Sequence, residues 1–171
     1  ALLRKKGLAT MEKRAGRDTS EGRIVCNLSE DKKTAIMASL CCETDFVSKG
    51  DDFIATADTM LEYCKVCTGD GGADAVLDTE VGGKKFAEVV TDLVSKTGEK
   101  TEVGDYAKYT VAGTGVIGAY IHFNHKIGAL VEVETSGDDV SAAVAVTATD
   151  IAMHVTAVNP AGLDADSIDP A

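Results

Sequence analysis

The fold is decided by Gly22-Arg23-Ile24-Val25-Cys26-Asn27-Leu28, an apolar stretch that a polar turn (29–33) joins to a second apolar stretch, residues 34–40. The same pattern returns without a gap in residues 115–133, where Gly115 corresponds to Gly22, an offset of 93 positions. Two short apolar runs separated by a few polar residues are typical of a β-hairpin. The sequence therefore predicts two related hairpins.

Each predicted hairpin is followed by a helical pattern. Apolar residues recur at helical spacing from Phe53 to Cys64, and Ser48 or Asp51 can cap the start of that helix. After the second hairpin the pattern starts at Asp138-Asp139 and carries Val140, Val144, Val146, Ile151 and Val155 up to Asn159-Pro160, where proline ends it. Between the hairpins the sequence predicts an amphipathic helix that contains residues 86–94 and ends at Gly98, and a strand over residues 106–111.

These elements predict an α+β protein of two related lobes, each an antiparallel β-hairpin or small sheet packed against helices. We expect a first core subdomain over residues 18–114 and a second over residues 115–171. Residues 1–17 are predicted to be a basic linker after the last turn of a helix that ends at Gly7 as its C-cap. The missing initial Met suggests that the chain is a piece of a longer protein.

Charge and hydropathy limit the function classes. The 171 residues carry a net charge of −11, and the clustered Lys and Arg are confined to the first 17 residues. Phosphate binding needs clustered cations, so this composition argues against a nucleic-acid partner. No apolar run approaches the ~20 residues that span a bilayer, which argues against a membrane protein.

The first hairpin runs directly into Cys42-Glu43-Thr44-Asp45-Phe46-Val47, a strand-to-helix corner with an acid next to a large aromatic residue. Two interpretations of Phe46 are open. It can turn inward as the first core residue of the helix, which is the usual fate of phenylalanine. Alternatively it is exposed at the corner, as the anchor residues of protein-binding surfaces are.

Five cysteines, an odd number, with no signal sequence indicate a reducing compartment. Cys64 and Cys67 have the spacing of a redox or metal pair, but no second pair exists to complete a zinc site. They also fit as two small core residues of a helix. Cys41 and Cys42 are neighbours on a strand, so their side chains should point to opposite faces.

The sequence favours a protein that is not an enzyme. His154 lies four residues after Asp150 on a predicted helix, which predicts an ion pair and core packing rather than catalysis. A metal site would need His154 to meet His122 and His125 of the second hairpin, and we expect none. The glycine-rich stretch 69–72 has no phosphate-loop pattern, so no nucleotide cofactor is expected.

Several motifs together resemble translation elongation factor Ts, the guanine-nucleotide exchange factor of elongation factor Tu. Residues 42–49 resemble the family's most recognisable signature. Further similarity lies in residues 3–7 and 13–16, 96–99 (with Lys100 where the family usually has Asn), 120–133, and 151–160. The similarity covers nearly the whole chain in the family's order, and the paired hairpins match the family's two core subdomains.

The resemblance implies the roles of particular residues. Asp45 and Phe46 would insert into the nucleotide-binding domain of elongation factor Tu near its magnesium site, and His122 would contact a more distant domain. The residues that the resemblance places at the partner are Thr44, Asp45, Phe46, Val47, Thr97, Gly98, His122 and Arg14. The partner would be bound in its GDP-bound and nucleotide-free states.

Two alternatives stay open beside nucleotide exchange. One is a thiol-redox or metal-binding domain that uses Cys64 and Cys67, and the other is a domain that binds elongation factor Tu without promoting exchange. Compared with the family, the chain has only the last turn of the N-terminal module and stops soon after Pro160, which predicts weaker binding. The resemblance implies bacterial cytoplasm or an organelle matrix, and dimerisation through the core lobes, known for some members, is left open.

Overall fold

The computed structural model describes residues 2–69 and 72–168, and the middle of the glycine-rich stretch lies outside them. The elements in chain order are α1 (Leu2–Arg14), β1 (Glu21–Leu28), β2 (Thr34–Cys42), α2 (Asp45–Ser48), α3 (Asp51–Val66), α4 (Ala73–Asp78), β3 (Glu80–Val81), β4 (Lys84–Lys85), α5 (Phe86–Thr97), β5 (Thr101–Thr110), β6 (Gly115–Ile121), β7 (Gly128–Glu134) and α6 (Asp138–Val158). Helices combined with small antiparallel sheets confirm the predicted α+β class.

The first hairpin forms as predicted, and β5 joins it to make a three-stranded antiparallel sheet with β2 in the centre. Helices α3 and α5 pack against this sheet around one apolar core. Phe53, Phe86 and Leu40 are fully buried there. Cys42 is buried whereas Cys41 is half-buried, which confirms that neighbouring strand residues point to opposite faces.

Strand β5 begins five residues before its predicted start. Thr101 and Val103 are buried opposite Cys42 and Leu40 of β2, so the sheet extends back to the end of α5. Polar and glycine residues at 102, 104 and 105 hide this half of the strand, because they leave no apolar run to detect. Pairing with the central strand, rather than local hydropathy, fixes the start of β5.

The predicted repeat is present in the register of the two hairpins. Gly22 pairs with Cys41 in the first hairpin, and their counterparts 93 positions later, Gly115 and Glu134, pair in the second. The opposite ends correspond as well, because Leu28 pairs with Ala35 and Ile121 with Gly128. The two hairpins are therefore equivalent residue by residue.

The hairpin turns contact each other reciprocally. Lys32 and His125 are counterparts in the repeat, and both adopt a left-handed backbone with φ of 55° and 58°. The carbonyl of His125 accepts a hydrogen bond from the Ile24 N–H at 2.7 Å, and that of Lys32 accepts one from the Ile117 N–H at 2.8 Å. Such exchanged contacts are those of two units related by an approximate two-fold axis.

Helix α6 lies close against β6. A Cβ atom at Gly118 would lie 2.2 Å from the backbone of Ala148, so only glycine lets this strand and helix approach so closely. The buried residues of α6 are accordingly small: Ser141, Ala148 and Ala152. The large apolar residues that the sequence pattern put on this helix are mostly solvent-facing, with Val146 70% exposed.

Helix α6 is also long and apolar enough, by length and composition alone, to cross a membrane. This corrects the expectation that no segment of the chain meets that criterion. Core helices of soluble proteins pass the same test, and α6 packs along β6 and β7. The criterion is therefore weak evidence for membrane insertion.

The N-terminal prediction is wrong in one respect, because α1 continues through Gly7 to Arg14 instead of ending at Gly7. A Cβ atom at Gly7 would lie 2.4 Å from the Ser95 hydroxyl and 2.5 Å from the Thr91 carbonyl oxygen of α5. The glycine therefore allows α1 and α5 to cross at close distance and is not a C-cap. Helix α1 packs on the first lobe, and domain boundaries at 17 and 114 stay predictions.

The helix that follows the first hairpin is divided into two. The short helix α2 is capped by Thr44, and the longer helix α3 begins after Gly50, which offers no side-chain cap. The expected caps, Ser48 and Asp51, are therefore wrong: Ser48 ends α2 and Asp51 is the first residue of α3. This division produces a separate one-turn helix at the corner.

Candidate functional site

The corner between β2 and α2 is held by a carboxylate that follows the end of α5. Glu99 accepts a hydrogen bond from the Thr44 hydroxyl at 2.7 Å and another from the Thr44 N–H at 3.1 Å. The same hydroxyl accepts a weak bond, 3.4 Å long, from the Val47 N–H as the cap of α2. Because both carboxylate oxygens of Glu99 bind Thr44, they fix the direction in which the one-turn helix leaves the strand.

A second carboxylate joins the corner to α1. Glu43 receives the Arg14 guanidinium at 2.8 Å on each oxygen and the Lys100 N–H at 2.7 Å. The Lys100 N–H, and after it Arg14, hold the pKa of the Glu43 carboxyl below its ordinary value although desolvation acts in the opposite direction. Arg14 is thus engaged within the chain, and its contact with a partner stays a prediction.

Phe46 is the most exposed part of the corner. It is 86% exposed, which decides between the two interpretations of the sequence in favour of the outward orientation. Val47 packs against the core and Ser48 is buried, so α2 turns its second half inward and its first half outward. A large aromatic side chain on a fixed support is suited to insertion into an apolar recess of another protein.

Asp45 lies beside Phe46 and is ionised at neutral pH. Its carboxylate accepts a hydrogen bond from the Lys49 ammonium at 2.7 Å, one turn along the helix. That hydrogen bond and the charge of Lys49 lower the pKa of Asp45, and the same contact raises the pKa of Lys49. The pair is solvent-exposed, so a partner that offers better donors can displace Lys49.

The other predicted site residues divide into two groups. Thr97 and Gly98 form the end of α5, where Gly98 has a left-handed φ of 73°, directly before the Glu99 that binds Thr44. They therefore lie at the corner. His122 lies in the turn of the second hairpin, where its Nδ1 is 3.1 Å from the Tyr120 hydroxyl and its ring packs against Phe123.

The corner coincides with the start of a recognisable family pattern. The family described as elongation factor TS matches residues 43–171, from Glu43 onward, which is well over half of the chain. The chain belongs to the elongation factor Ts family. The paired lobes and the exposed corner described above are thus features of a member of this family.

Curated relatives in the elongation factor Ts family support this assignment over nearly the whole chain. Elongation factor Ts of Nitratidesulfovibrio vulgaris is 40% identical over 171 residues, which cover 99% of this chain and 55% of the relative. That of Desulfovibrio desulfuricans is 41% identical over 173 residues (99% and 58%), and that of Clostridium acetobutylicum 37% over 169 (98% and 54%). The chain spans about half the length of the curated relatives it matches.

Sequence reasoning missed the two carboxylates that hold the corner. Glu43 and Glu99 belong to the motifs that resemble elongation factor Ts, but their spacing in the sequence gives no sign that residue 99 reaches residue 44. The contact depends on β5 pairing with β2, which brings the end of α5 next to the end of β2. Only the tertiary structure reveals this support.

The expectation for His154 is wrong. It is exposed on α6 rather than packed in the core, and no salt bridge joins it to Asp150 in the part of the chain that the structure describes. The face of α6 that meets the sheet carries small residues, which leaves no room there for an imidazole ring. His154 has no role in the candidate site.

The cysteines offer little support for redox or metal chemistry. Cys64 and Cys67 are both buried, and burial raises the pKa of Cys64 to about 12. The reactive thiolate form of Cys64 is therefore rare at neutral pH. Within residues 2–69 and 72–168, no group of three or more His, Cys, Asp or Glu side chains is arranged to hold a metal ion.

We expect Cys64 and Cys67 to react with a thiol reagent only after the chain unfolds. With a pKa of about 12, roughly one Cys64 thiol in ten thousand is ionised at pH 8, and access is blocked as well. A titration with a disulfide reagent, with and without urea, measures this for the parent and a Cys64→Ala/Cys67→Ala variant. The two native proteins should therefore show the same number of fast-reacting thiols, and the parent should gain two more than the variant in urea. A fast native phase that the variant loses would contradict burial.

Replacing Glu99 with alanine should loosen the corner. The change leaves the part-buried Thr44 N–H and hydroxyl without their acceptor, and we expect the free energy of unfolding to fall by about 1–3 kcal/mol. Urea unfolding measures this loss. Glu62→Ala is the control, since Glu62 forms an exposed ion pair with Lys65. Equal losses in the two variants would show that Glu99 does not hold the corner.

Proposed function

We propose that the chain binds elongation factor Tu and promotes the release of GDP by inserting the Asp45-Phe46 corner near the magnesium and nucleotide site of that protein. Membership of the elongation factor Ts family supports a role in translation elongation. The observation that carries the finer proposal is Phe46, 86% exposed on a corner that Glu99 and Glu43 fix. The chain spans half of its relatives, so exchange by these 171 residues is itself part of the proposal.

The proposed mechanism requires no covalent chemistry, and the chain would not be an enzyme. A protein that binds the nucleotide-free state of elongation factor Tu more tightly than the GDP-bound state must weaken GDP binding by the same factor. An aromatic side chain that inserts between structural elements around the magnesium ion selects an arrangement in which those elements are displaced. Phe46 would provide the apolar contact, and Asp45 would accept hydrogen bonds from donors of the partner.

The remaining residues would extend the contact. Thr44 and Val47 are part of the corner, and Thr97 and Gly98 lie on the adjoining turn. Arg14 is bound to Glu43, next to the corner, and would reach the partner from there. His122 would contact a second part of the partner. The net charge of −11 opposes nucleic-acid binding. We place the protein in the bacterial cytoplasm, with an organelle matrix as the alternative, and a homodimer through the core lobes is left open.

The proposal is tested by the release of fluorescent GDP from elongation factor Tu of Nitratidesulfovibrio vulgaris, chased with unlabelled GDP. We expect the chain to accelerate release and Asp45→Ala to weaken that effect about tenfold, as for a lost hydrogen bond to a charged group. Asp138→Ala is a matched control, because Asp138 is the counterpart of Asp45 in the second lobe and its exposed carboxylate is also paired with a lysine, Lys33. Binding without acceleration would favour a domain that binds but does not exchange.

A further inference from the structure

The four phenylalanines of the chain fall into two extreme groups. Phe53 and Phe86 are 1% and 0% exposed in the core, whereas Phe46 and Phe123 are 86% and 84% exposed. Single exposed apolar residues are common on protein surfaces and need no explanation. Phe46 and Phe123, however, both lie at the same junction between the two lobes.

The two-fold arrangement of the lobes makes two equivalent junctions, each between the turn of one hairpin and the corner that follows the other. At the first junction the turn of residues 122–126 lies beside α2, and at the second the turn of residues 29–33 lies beside the start of α6. Lys33, the counterpart of Lys126, forms a salt bridge with Asp138, the counterpart of Asp45, at 3.1 Å. At the first junction Asp45 pairs instead with Lys49, the main cause of its lowered pKa, and the charge of Lys126 adds a smaller lowering.

At the second junction the positions equivalent to Phe46 and Phe123 are occupied by residues that are not aromatic. The counterpart of Phe46 is Asp139 (46 + 93), and the counterpart of Phe123 is Glu30 (123 − 93). Both acids are exposed. The backbone therefore does not require an aromatic residue at either position, and the chain carries two of them at one junction and none at the other.

At the first junction a cavity separates α2 from the turn of the second hairpin. This cavity of about 170 Å³ is lined by Ser48 and Lys49 on the α2 side and by Asn124, His125 and Lys126 on the turn side. The His125 carbonyl accepts from the Ile24 N–H, and the Lys126 ammonium pairs with Glu21 at 2.6 Å. Phe46 belongs to α2 and Phe123 to the turn, the two segments that flank this cavity, and both segments contact β1.

The turn that carries Phe123 is closed before any partner arrives. The ring of Phe123 packs against the His122 imidazole with centroids 4.3 Å apart. The turn itself is closed by backbone hydrogen bonds from the His122 N–H to the Ile127 carbonyl at 2.9 Å and from the His125 N–H to the His122 carbonyl at 2.8 Å. A ring carried on a closed turn costs less backbone entropy on binding than one on an open loop, which favours its use as an anchor.

We infer that Phe123 is a second apolar anchor for the partner that receives Phe46, and that the two rings form one docking surface across the first junction. This inference rests on the proposed function, since the partner is the same elongation factor Tu. It assigns the second lobe an apolar contact of its own beside the predicted contact of His122. The partner must then offer two apolar recesses, one for each ring, on the surface that faces the junction.

The test measures dissociation constants for nucleotide-free elongation factor Tu by isothermal titration calorimetry, with thermal unfolding by circular dichroism for each variant. We expect Phe123→Ala to weaken binding at least tenfold, Phe123→Leu less than threefold, and the counterpart control Glu30→Ala less than twofold. Because Phe123 contributes no buried core contact, the unfolding midpoint should not change.

Each outcome bears on one proposal or on both. If Phe123→Ala binds within twofold of the parent while Phe46→Ala is weakened, the second anchor is overturned and the proposed function stands. If Glu30→Ala weakens binding as much as Phe123→Ala, the effect is not specific to the aromatic junction and the inference is also overturned. A parent chain that binds no elongation factor Tu overturns the proposed function and the second anchor together.

Discussion

Phe46→Ala should abolish most of the acceleration of GDP release at concentrations where the parent is effective. Truncation of a buried aromatic anchor costs about 2–4 kcal/mol of binding free energy, which corresponds to a roughly 30- to 1,000-fold weaker dissociation constant. The ring makes little contribution to the fold, because it is 86% exposed in the free chain. The variant should therefore remain folded while it loses its partner.

The measurement is the rate of fluorescent GDP release as a function of the concentration of each variant. Leu163→Ala is the control, since Leu163 is another apolar side chain, 97% exposed and far along the chain from the corner. We expect the control to follow the parent curve. A Phe46→Ala curve that also follows the parent would remove the corner from the mechanism.

Gly118→Ala should have the largest effect on stability. The added Cβ would lie 2.2 Å from the carbonyl carbon and oxygen of Ala148, and these backbone atoms cannot rotate away as a side chain can. Helix α6 must move off β6, and overpacking of this kind typically costs about 1–3 kcal/mol, with backbone clashes at the upper end. For a chain of this size about 3 kcal/mol lowers the unfolding midpoint by roughly 6–12 °C.

Thermal unfolding followed by circular dichroism measures this shift. Gly113→Ala is the matched control, because a Cβ at Gly113 meets nothing within 4 Å and the residue does not have a left-handed φ. We expect the control to stay within about 0.5 kcal/mol of the parent. An unchanged midpoint for Gly118→Ala would mean that α6 does not pack on β6 at the distance described.

Local pattern alone was sufficient for much of the fold. The gapless offset of 93 positions predicted two hairpins, and the structure reproduces it in register and in the left-handed turn residues Lys32 and His125. The end of α5 at Gly98 was also predicted, because a glycine C-cap is a local signal. These features depend on neighbouring residues in the chain, and so the sequence displays them directly.

The errors occurred where a residue's role depends on a distant partner. Gly7 was predicted to end a helix, but the contact of α1 with Thr91 and Ser95 gives it a different purpose. His154 was predicted to be buried, but the close approach at Gly118 turns small residues of α6 toward the sheet. Hydropathy cannot distinguish an apolar residue that faces a sheet from one that faces solvent when the contact face is built from Ala and Ser.

The sequence by itself determined the α+β class, the repeated hairpins, the helix after each of them and the similarity to elongation factor Ts. Only the tertiary structure decided that Phe46 points outward, because a helix of four residues has no periodicity from which to infer its inner face. Only the tertiary structure brought Glu99 to Thr44 and the second hairpin turn to the corner. Contacts between residues 55 or more positions apart arise from strand pairing and lobe packing, which no local stretch of sequence encodes.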